Sequence, residues 1–398
     1  MAMLHQRLEE LDIDMPGPTS PPLPRLTRKS DFWYFRREFE TRREIQGLSV
    51  QTVMRAMGEG GLRLGANIAL RADRWVHGRR LARMRVERPL FIIGHPRSGT
   101  SFFHGLMMGT DEMVGFRTWQ LFWPALVGRR VIRRFVALKT RFGTAEVMPQ
   151  SVGHQMELDS YEVEEFLFWL RYSTALNTMG LLGLAEDDFP EIEQPDRLAE
   201  PDRRAALDYL DGCFRRQMID SGKSQIVAKM HFSTMRLQSL LEYYPDARFV
   251  YLLRDPLCTV PSYLSFMIKT MEARGNLDGV SPERMQRMLR RRYRGTLALY
   301  RYFHDLQVSG RLPADRVMVL RYDDLMRDVR GTMDRVREFS GIAFSPALEA
   351  HIDAKAEAQK SYRRPHAVAS LDELGLSRQQ ILSDFAFVYR HYGITPAA

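Results

Sequence analysis

Apolar and polar residues are arranged in two ways along this chain, and the two patterns distinguish strands from helices. Four short apolar runs have the length of strands that are buried on both faces: Pro89–Gly94, Gln225–Lys229, Ala247–Arg254 and Arg316–Tyr322. Longer segments with helical apolar spacing lie between these runs, including Arg203–Asp220 and Glu283–Leu306. Strands that alternate with helices of this length predict an α/β fold with a central parallel sheet flanked by helices.

The residues before the first strand have a different character. Proline and serine are concentrated in Met15–Pro24, which favours a flexible leader over residues 1–30. Residues 31–85 follow a basic, amphipathic helical pattern and predict an N-terminal helical extension. No internal repeat or linker divides the chain between Pro89 and Tyr392, so we predict a single domain over residues 86–398.

The loop after the first strand has the glycine spacing of a phosphate-binding loop. It reads Gly94-His-Pro-Arg-Ser-Gly-Thr-Ser101 and leads into a helical pattern, so that its amides and the positive end of the helix favour an anion. Thr100 occupies the position of the lysine in an ATP-binding loop, and no convincing acidic residue for Mg²⁺ is found. A nucleotide phosphate bound without metal fits better than γ-phosphate transfer, and an ordinary turn is the alternative.

A second motif follows the third apolar run. Arg254 ends that run, Pro256 suits the first position of a helix, and Ser262 lies about two turns further along it. Because ligands bind at the carboxyl edge of open α/β sheets, Arg254 and Ser262 are placed to share one phosphate. The structural alternative is an arginine that only pairs with Asp255.

Together the two motifs resemble the sulfotransferase family, in particular its bacterial branch with a Pro-Arg-Ser-Gly-Thr loop. The resemblance implies a P-loop NTPase-like sulfotransferase fold, 3′-phosphoadenosine 5′-phosphosulfate (PAPS) as sulfuryl donor, PAP as product and no metal. The residues that it assigns to the 5′-phosphosulfate are Arg97, Ser98, Gly99, Thr100 and Ser101. It assigns Arg254 and Ser262 to the 3′-phosphate.

Two further segments are similar to the family. Tyr322 matches a tyrosine that lies near the adenine, and Arg363 and Arg364 fall in a segment like the loop that closes over the cofactor, which makes both arginines candidates for the 3′-phosphate. The sequence Lys229-Met-His231-Phe departs from the family's Lys-Ser-Pro, so the resemblance assigns no catalytic role to His231. Lys229 is either a second sulfuryl contact or a structural partner.

Sulfuryl transfer needs charge stabilisation and one general base, because the acceptor must lose a proton. Arg97 is the predicted stabilising group, by its place in the loop. Glu162 and Glu165 fall on the acidic positions of the family's acceptor-pocket segment, and His104 follows the loop by one helical turn. A helix cap for the glutamates and simple packing for the histidine remain alternatives.

The acceptor is indicated only by composition. Aromatic-rich segments, 116–126 and 166–170, lie between the two motifs and suggest a small, hydrophobic or lipid-like alcohol or amine as acceptor. The segment 129–138 has four arginines among apolar residues, a pattern of interfacial helices, which raises the hypothesis of peripheral contact with an anionic membrane; a solvated helical face is the simpler explanation.

Charge and cysteine content narrow the partners and the compartment. The net charge of +9 favours anionic partners. The chain has only two cysteines, and its N-terminus has no apolar signal segment. These two features predict a cytoplasmic protein, with the inner membrane face as the hypothesised contact. No basic–aromatic module for nucleic acid is found. Two rival functions remain: a P-loop kinase or NTPase, and a catalytically inactive cofactor-binding relative.

Overall fold

A computed structural model describes residues 25–148, 152, 156–172, 174–361 and 368–397 of the chain. Its strands are β1 (Leu90–Gly94), β2 (Glu146–Met148), β3 (Met156–Glu157), β4 (Val227–Lys229), β5 (Arg248–Leu253) and β6 (Val317–Arg321). Four of them form a central parallel sheet in the order β4-β1-β5-β6, while β2 and β3 form a separate antiparallel pair. The four strands predicted from the sequence are therefore those of the central sheet.

The helices connect the strands and cover both faces of the sheet. In chain order they are α1 (Asp31–Gln46), α2 (Val50–Val76), α3 (Gly78–Arg83), α4 (Thr100–Met108), α5 (Thr118–Phe122), α6 (Arg129–Arg141), α7 (Ala175–Thr178), α8 (Pro190–Glu193), α9 (Glu200–Ser221), α10 (Leu237–Tyr243), α11 (Pro256–Ala273), α12 (Pro282–Val308), α13 (Tyr322–Arg327), α14 (Val329–Ser340), α15 (Pro346–Ser361), α16 (Arg378–Asp384) and α17 (Ala386–Tyr392). Short 3₁₀ turns span Glu164–Leu170, Leu181–Leu184, Pro195–Arg197 and Phe232–Arg236. None of the helices within the described residues is both long and apolar enough to cross a bilayer.

Residues alternate between the two faces of the sheet. In β1, Phe91 and Ile93 join a core cluster with α9, α11 and α12, whereas Leu90 and Ile92 join a second cluster with α4, α14 and α15. All five residues of β1 are buried, because a strand covered by helices on both faces exposes neither side. Since β1 lies between β4 and β5, its carboxyl end lies inside the row of strand ends on that side of the sheet.

The N-terminal extension packs on this core. Tyr34 of α1 is buried and its hydroxyl donates a 2.7 Å hydrogen bond to Glu191. Asp73, near the end of α2, is fully buried and accepts from the backbone N–H of Leu126 and Val127, each at 2.8 Å. Of the predicted leader, residues 1–24 lie outside the described residues, and Leu26 forms a parallel bridge with Leu198.

Candidate active site

The loop between β1 and α4 is tightly curled. Gly94 has φ +123°, and a Cβ there would lie 2.5 Å from the carbonyl oxygen of Leu252, so a side chain cannot be accommodated. Arg97 and Gly99 also have positive φ, +73° and +94°. The curl leads directly into α4, whose first N–H groups have no acceptor within the helix and carry the positive end of its dipole. This is the geometry of an anion site.

Two side chains support the loop from beneath. The ring of His95 lies 2.9 Å from the hydroxyl of Thr296 in α12, and burial lowers the pKa of His95 to about 3, which keeps it neutral. The hydroxyl of Ser98 donates to the carbonyl of His95 at 2.6 Å and is fully buried. The Ser98 side chain therefore faces the loop itself, and its contact with a cofactor stays a prediction.

Arg254 lies directly after β5, beside the loop. Its Nη1 donates to the carbonyl of Arg97 at 2.8 Å, and its guanidinium lies 4.0 Å from the ring centre of Tyr322. Asp255 instead accepts from Leu257 N–H at the start of α11 and from the hydroxyl of Tyr389. No ion pair between Arg254 and a carboxylate is found within the described residues, so the structural alternative of an Arg254–Asp255 pair is not what the fold contains.

The two sequence motifs meet through Arg97. Its Nε donates to the hydroxyl of Ser262 on α11 at 3.2 Å, and its guanidinium lies 5.4 Å from the ring centre of Phe266. Residues separated by 165 positions are thereby joined at one sheet edge. Arg97, Arg254, Ser262 and Tyr322 therefore lie together where the strands β1, β5 and β6 end.

A third group of side chains lies next to the start of α4. Lys229, at the end of β4, is buried and its Nζ donates to the hydroxyl of Ser101 at 3.2 Å. The same Nζ lies 3.8 Å from Oε2 of Glu162. On the other side, Nδ1 of His231 lies 3.2 Å from the hydroxyl of Thr100. A cation, a carboxylate and an imidazole therefore surround the first turn of this helix.

Four side chains are candidates for the general base, and they differ in whether they line the large cavity. Glu162 and His231 line the large cavity described below, whereas Glu165 and His104 do not line it in the part of the chain that the structure describes. Glu165 accepts from the Phe232 N–H and the Ser233 hydroxyl, both at 2.7 Å, and burial raises its pKa to about 7. Glu165 therefore holds the turn after β4.

His104 is buried beneath the same group. Burial, reinforced by Lys229, lowers the pKa of His104 to about 3, so this imidazole is neutral. Its Nε2 lies 4.0 Å from Glu164, a fully buried carboxyl that accepts from the N–H groups of Lys229 and Phe116 at 2.6 and 3.1 Å. Burial raises the pKa of Glu164 to about 8 against the effect of these donors. Glu164 therefore connects the end of β4 with the segment at Phe116, beneath the site.

Sequence reasoning missed two of these residues. His231 replaces a family proline, which argues against a catalytic role, and no sequence signal distinguishes Glu164 from its acidic neighbours. A usable signal exists for His231 alone: it lies two residues beyond Lys229 at the carboxyl end of a parallel strand, where ligand-facing residues are expected. Arg363 and Arg364 lie outside the described residues, so their predicted contact with the 3′-phosphate stays a prediction.

One cavity of about 1190 Å³ lies against the loop and the first turn of α4. Its lining at the loop includes Arg97, Thr100, Ser101, Arg254 and Tyr322. Apolar side chains follow, among them Phe122, Met156, Phe166, Trp169 and Phe266. Because drug-sized ligands occupy pockets of roughly 300–1,000 Å³, the cavity has room for a nucleotide together with a second molecule.

The family follows from comparison with known proteins. Residues 89–346 match the model of the sulfotransferase family, and since this match covers more than half of the chain, the chain belongs to that family. Two curated relatives, from Mycobacterium bovis and Mycobacterium tuberculosis, are named omega-hydroxy-beta-dihydromenaquinone-9 sulfotransferase Stf3 and are 24% identical over 274 residues. The alignment covers 67% of this chain and 66% of each relative, slightly less than two thirds of their length.

Solved structures confirm the fold. The crystal structure of sulfotransferase STF9 from Mycobacterium avium superposes with a TM-score of 0.69 at 17% identity, over 93% of this chain and 98% of that one. Sulfotransferase STF1 from Mycobacterium tuberculosis H37Rv gives a TM-score of 0.61 at 18% identity, over 90% and 93% of the two chains. The predicted α/β sulfotransferase fold with a central parallel sheet is therefore confirmed.

Proposed function

We propose that this chain transfers the sulfuryl group of PAPS to a hydroxyl or amine of an apolar, lipid-like acceptor, without a metal. The observation that carries the proposal is that Arg97 joins Ser262 and Arg254 beside the start of α4, and that Arg97 and Arg254 line one end of the cavity. Two phosphate-binding elements that are remote in sequence thus open into one space large enough for donor and acceptor.

The residues fit the donor. The α4 N-terminus with Arg97 and Lys229 receives the 5′-phosphosulfate, Arg254 and Ser262 receive the 3′-phosphate, and the Tyr322 ring offers a flat surface to the adenine. In the reaction the acceptor oxygen attacks sulfur, the sulfur–oxygen bond to the 5′-phosphate breaks, and its electron pair leaves on PAP. Fixed positive groups aimed at that leaving oxygen lower the barrier because they need no reorganisation.

Glu162 is the proposed general base, with His231 as the second candidate. Both line the cavity beside the first turn of α4, where the sulfuryl group would lie. Oε2 of Glu162 lies 3.8 Å from the Nζ of Lys229, which itself donates to Ser101, so the carboxylate lies next to the proposed position of the sulfuryl group. The geometry gives less support to Glu165 and His104, because both are buried away from the cavity.

An elongated apolar acceptor suits the remaining lining. The rings of Phe122, Phe166 and Trp169 form a connected wall, with centre-to-centre distances of 5.9 Å and 5.6 Å. The name of the two mycobacterial relatives describes a hydroxylated, lipid-like substrate, which is consistent with an alcohol of this class here.

The proposal also includes contact of the protein with an anionic membrane surface. On α6 and at its end, Val131, Phe135, Leu138 and Phe142 are exposed and spaced so that they share one face. Arg130 and Arg134 are exposed beside this face, whereas Arg129 and Arg133 pair with Asp220. Retention on vesicles containing phosphatidylglycerol at low salt, lost in Phe135→Glu, tests the contact; failure of the wild type to bind removes it.

Calorimetric titration with 3′,5′-adenosine bisphosphate tests the donor site. We expect Arg254→Ala to weaken binding about a hundredfold, because hydrogen bonds to charged groups contribute ~1.5–3 kcal/mol each. Arg248→Ala is the matched control, since it changes an arginine at the opposite end of the same strand. Preferential binding of ATP with Mg²⁺ would instead support the kinase alternative. Bisphosphate binding without turnover of any alcohol would support an inactive relative.

A further inference from the structure

The cavity has a second polar region, and it comes from the N-terminal extension. Glu38 and Arg42 of α1 and Arg55 and Glu59 of α2 line the same cavity as the loop. These residues precede the segment 89–346 that matches the family. This part of the cavity is therefore not explained by the donor site or by the family match.

Arg42 is the residue in this region whose hydrogen-bonding capacity is incompletely used. It is 4% exposed, and its Nη2 lies 3.0 Å from Oε1 of Glu59. Its Nε and Nη1 are buried and have no hydrogen-bond partner within the described residues. A guanidinium has five donors, and leaving a buried charged donor unpaired is costly, so an oxygen supplied from the cavity would stabilise it.

The neighbouring acid does not supply that oxygen. The two carboxylate oxygens of Glu38 accept from Arg63 at 3.2 Å and from Asn177 at 3.1 Å. Burial also raises the pKa of Glu38, which weakens it as a counter-charge. With Arg55 and Arg274 also in the lining, three arginines face two glutamates in this region of the cavity. The local excess of positive charge favours an anionic group.

An apolar wall connects the two polar regions. Arg97 of the loop lies against Phe266, which packs together with Phe166 on the cluster of Met148, Val152 and Met156. From Phe166 the rings continue through Phe122 to Trp169. The ring of Trp169 lies 4.2 Å from the guanidinium of Arg63, the partner of Glu38.

We propose that Arg42 binds an anionic oxygen at the far end of the acceptor, so that the acceptor class is an ω-hydroxylated, long apolar molecule ending in a carboxylate or a similar oxyanion. Its hydroxyl would lie beside the loop, its apolar body along the aromatic wall, and its anionic end at the extension. This inference rests on the proposed function for the position of the hydroxyl. Arg42 acts here in binding and positioning, since it lies outside the donor group.

Binding of matched ligands tests the inference without turnover. PAP-saturated protein is titrated with 12-hydroxydodecanoate and with 1-dodecanol, which differ in the carboxylate. We expect the wild type to prefer the acid about tenfold, which corresponds to ~1.4 kcal/mol. Arg42→Met should reduce this preference to about twofold or less, because a charge-assisted hydrogen bond is lost. Arg43→Met, on the exposed side of the same helix, should leave it unchanged.

Three outcomes overturn the inference: no preference for the acid in the wild type, no binding of either compound, or a preference that survives in Arg42→Met. Arg42→Lys keeps a cation and shows whether a loss in Arg42→Met reflects misfolding, because it should fold and retain part of the preference. Failure of the proposed function is separate, since it would appear as absent binding in the prior titration of the wild type with 3′,5′-adenosine bisphosphate.

Discussion

The two ends of the cavity are built in different ways. At the loop end, the backbone fixes the positions of the polar groups. Two short segments, 94–101 and 254–262, follow the adjacent parallel strands β1 and β5 on the same side of the sheet. At the extension end, the lining consists of side chains from α1, α2, residue 177 and residues 273–276. The first end forms where the strands of the sheet end, whereas the second forms only where the extension packs on the core.

This difference explains where specificity should lie. Loop positions with a left-handed backbone tolerate few substitutions, and their N–H groups stay the same whatever the side chain. Such a loop suits the recognition of a single sulfuryl donor. Ion pairs such as Arg42–Glu59 and Arg63–Glu38 are side-chain arrangements that can be exchanged without disturbing the sheet. The comparison indicates that the proposed donor site is built by the central fold, whereas the proposed acceptor site depends on segments packed around it.

The largest expected effect lies between the two ends, at Glu162. We expect Glu162→Gln to lower kcat by about 10²-fold or more, because general-base catalysis contributes about 10²–10⁴-fold. Binding of the adenosine bisphosphate should be nearly unchanged, since Glu162 is not among the proposed nucleotide contacts. Turnover of 12-hydroxydodecanoate under saturating PAPS, with calorimetry alongside, measures both quantities. If His231→Ala shows the catalytic loss and Glu162→Gln does not, the base is His231.

An intermediate effect is expected when the loop end alone is disturbed. Gly99→Ala places a side chain at φ +94°, with its Cβ 2.6 Å from the Tyr322 ring. We expect a loss of about 1–3 kcal/mol in the free energy of unfolding, together with weaker bisphosphate binding, because a strained backbone position is made worse. Urea denaturation and calorimetry measure these two changes.

Gly61→Ala in α2 is the matched control for that loop variant. It has no atom within 4 Å of the added Cβ and lies within a helix, where alanine stabilises by about 0.5–1 kcal/mol relative to glycine. The preference for the acid at the extension end should persist in Gly99→Ala. Equal behaviour of the two variants would show that the loop conformation is not needed for the donor site.

The last expected effect is confined to stability and concerns the buried support at Glu164. A carboxyl whose pKa rises from 4.5 to about 8 on folding stabilises the protein fully below pH 4.5, and that contribution is lost as the pH rises through about 8. Glu164→Gln cannot titrate, so its stability relative to the wild type should improve steadily from about pH 5 to about pH 8.5. Urea denaturation at several pH values measures the difference, and a pH-independent difference would contradict the raised pKa.

Much of the fold was predictable because its signals are local. Each sheet strand is a short apolar run, and the alternation of Phe91 and Ile93 with Leu90 and Ile92 follows directly from strand geometry. The loop was predictable because glycine at positions 94 and 99 reflects backbone conformations that few other residues adopt. The proximity of Arg97, Arg254 and Ser262 was predictable for the same reason, since each has a fixed place relative to a strand end; their contact with the sulfuryl donor stays a proposal.

The sequence by itself determined the parallel sheet and the curled loop after β1, because backbone geometry and apolar periodicity depend on neighbouring residues, and its two motifs carried the resemblance to the family. Only the tertiary structure decided that Glu162 and His231 reach the cavity while Glu165 and His104 do not. It likewise brought Arg42 into the same cavity as a loop more than fifty residues away. Such contacts depend on how distant helices dock, and docking is set by the summed packing of the core rather than by any local pattern.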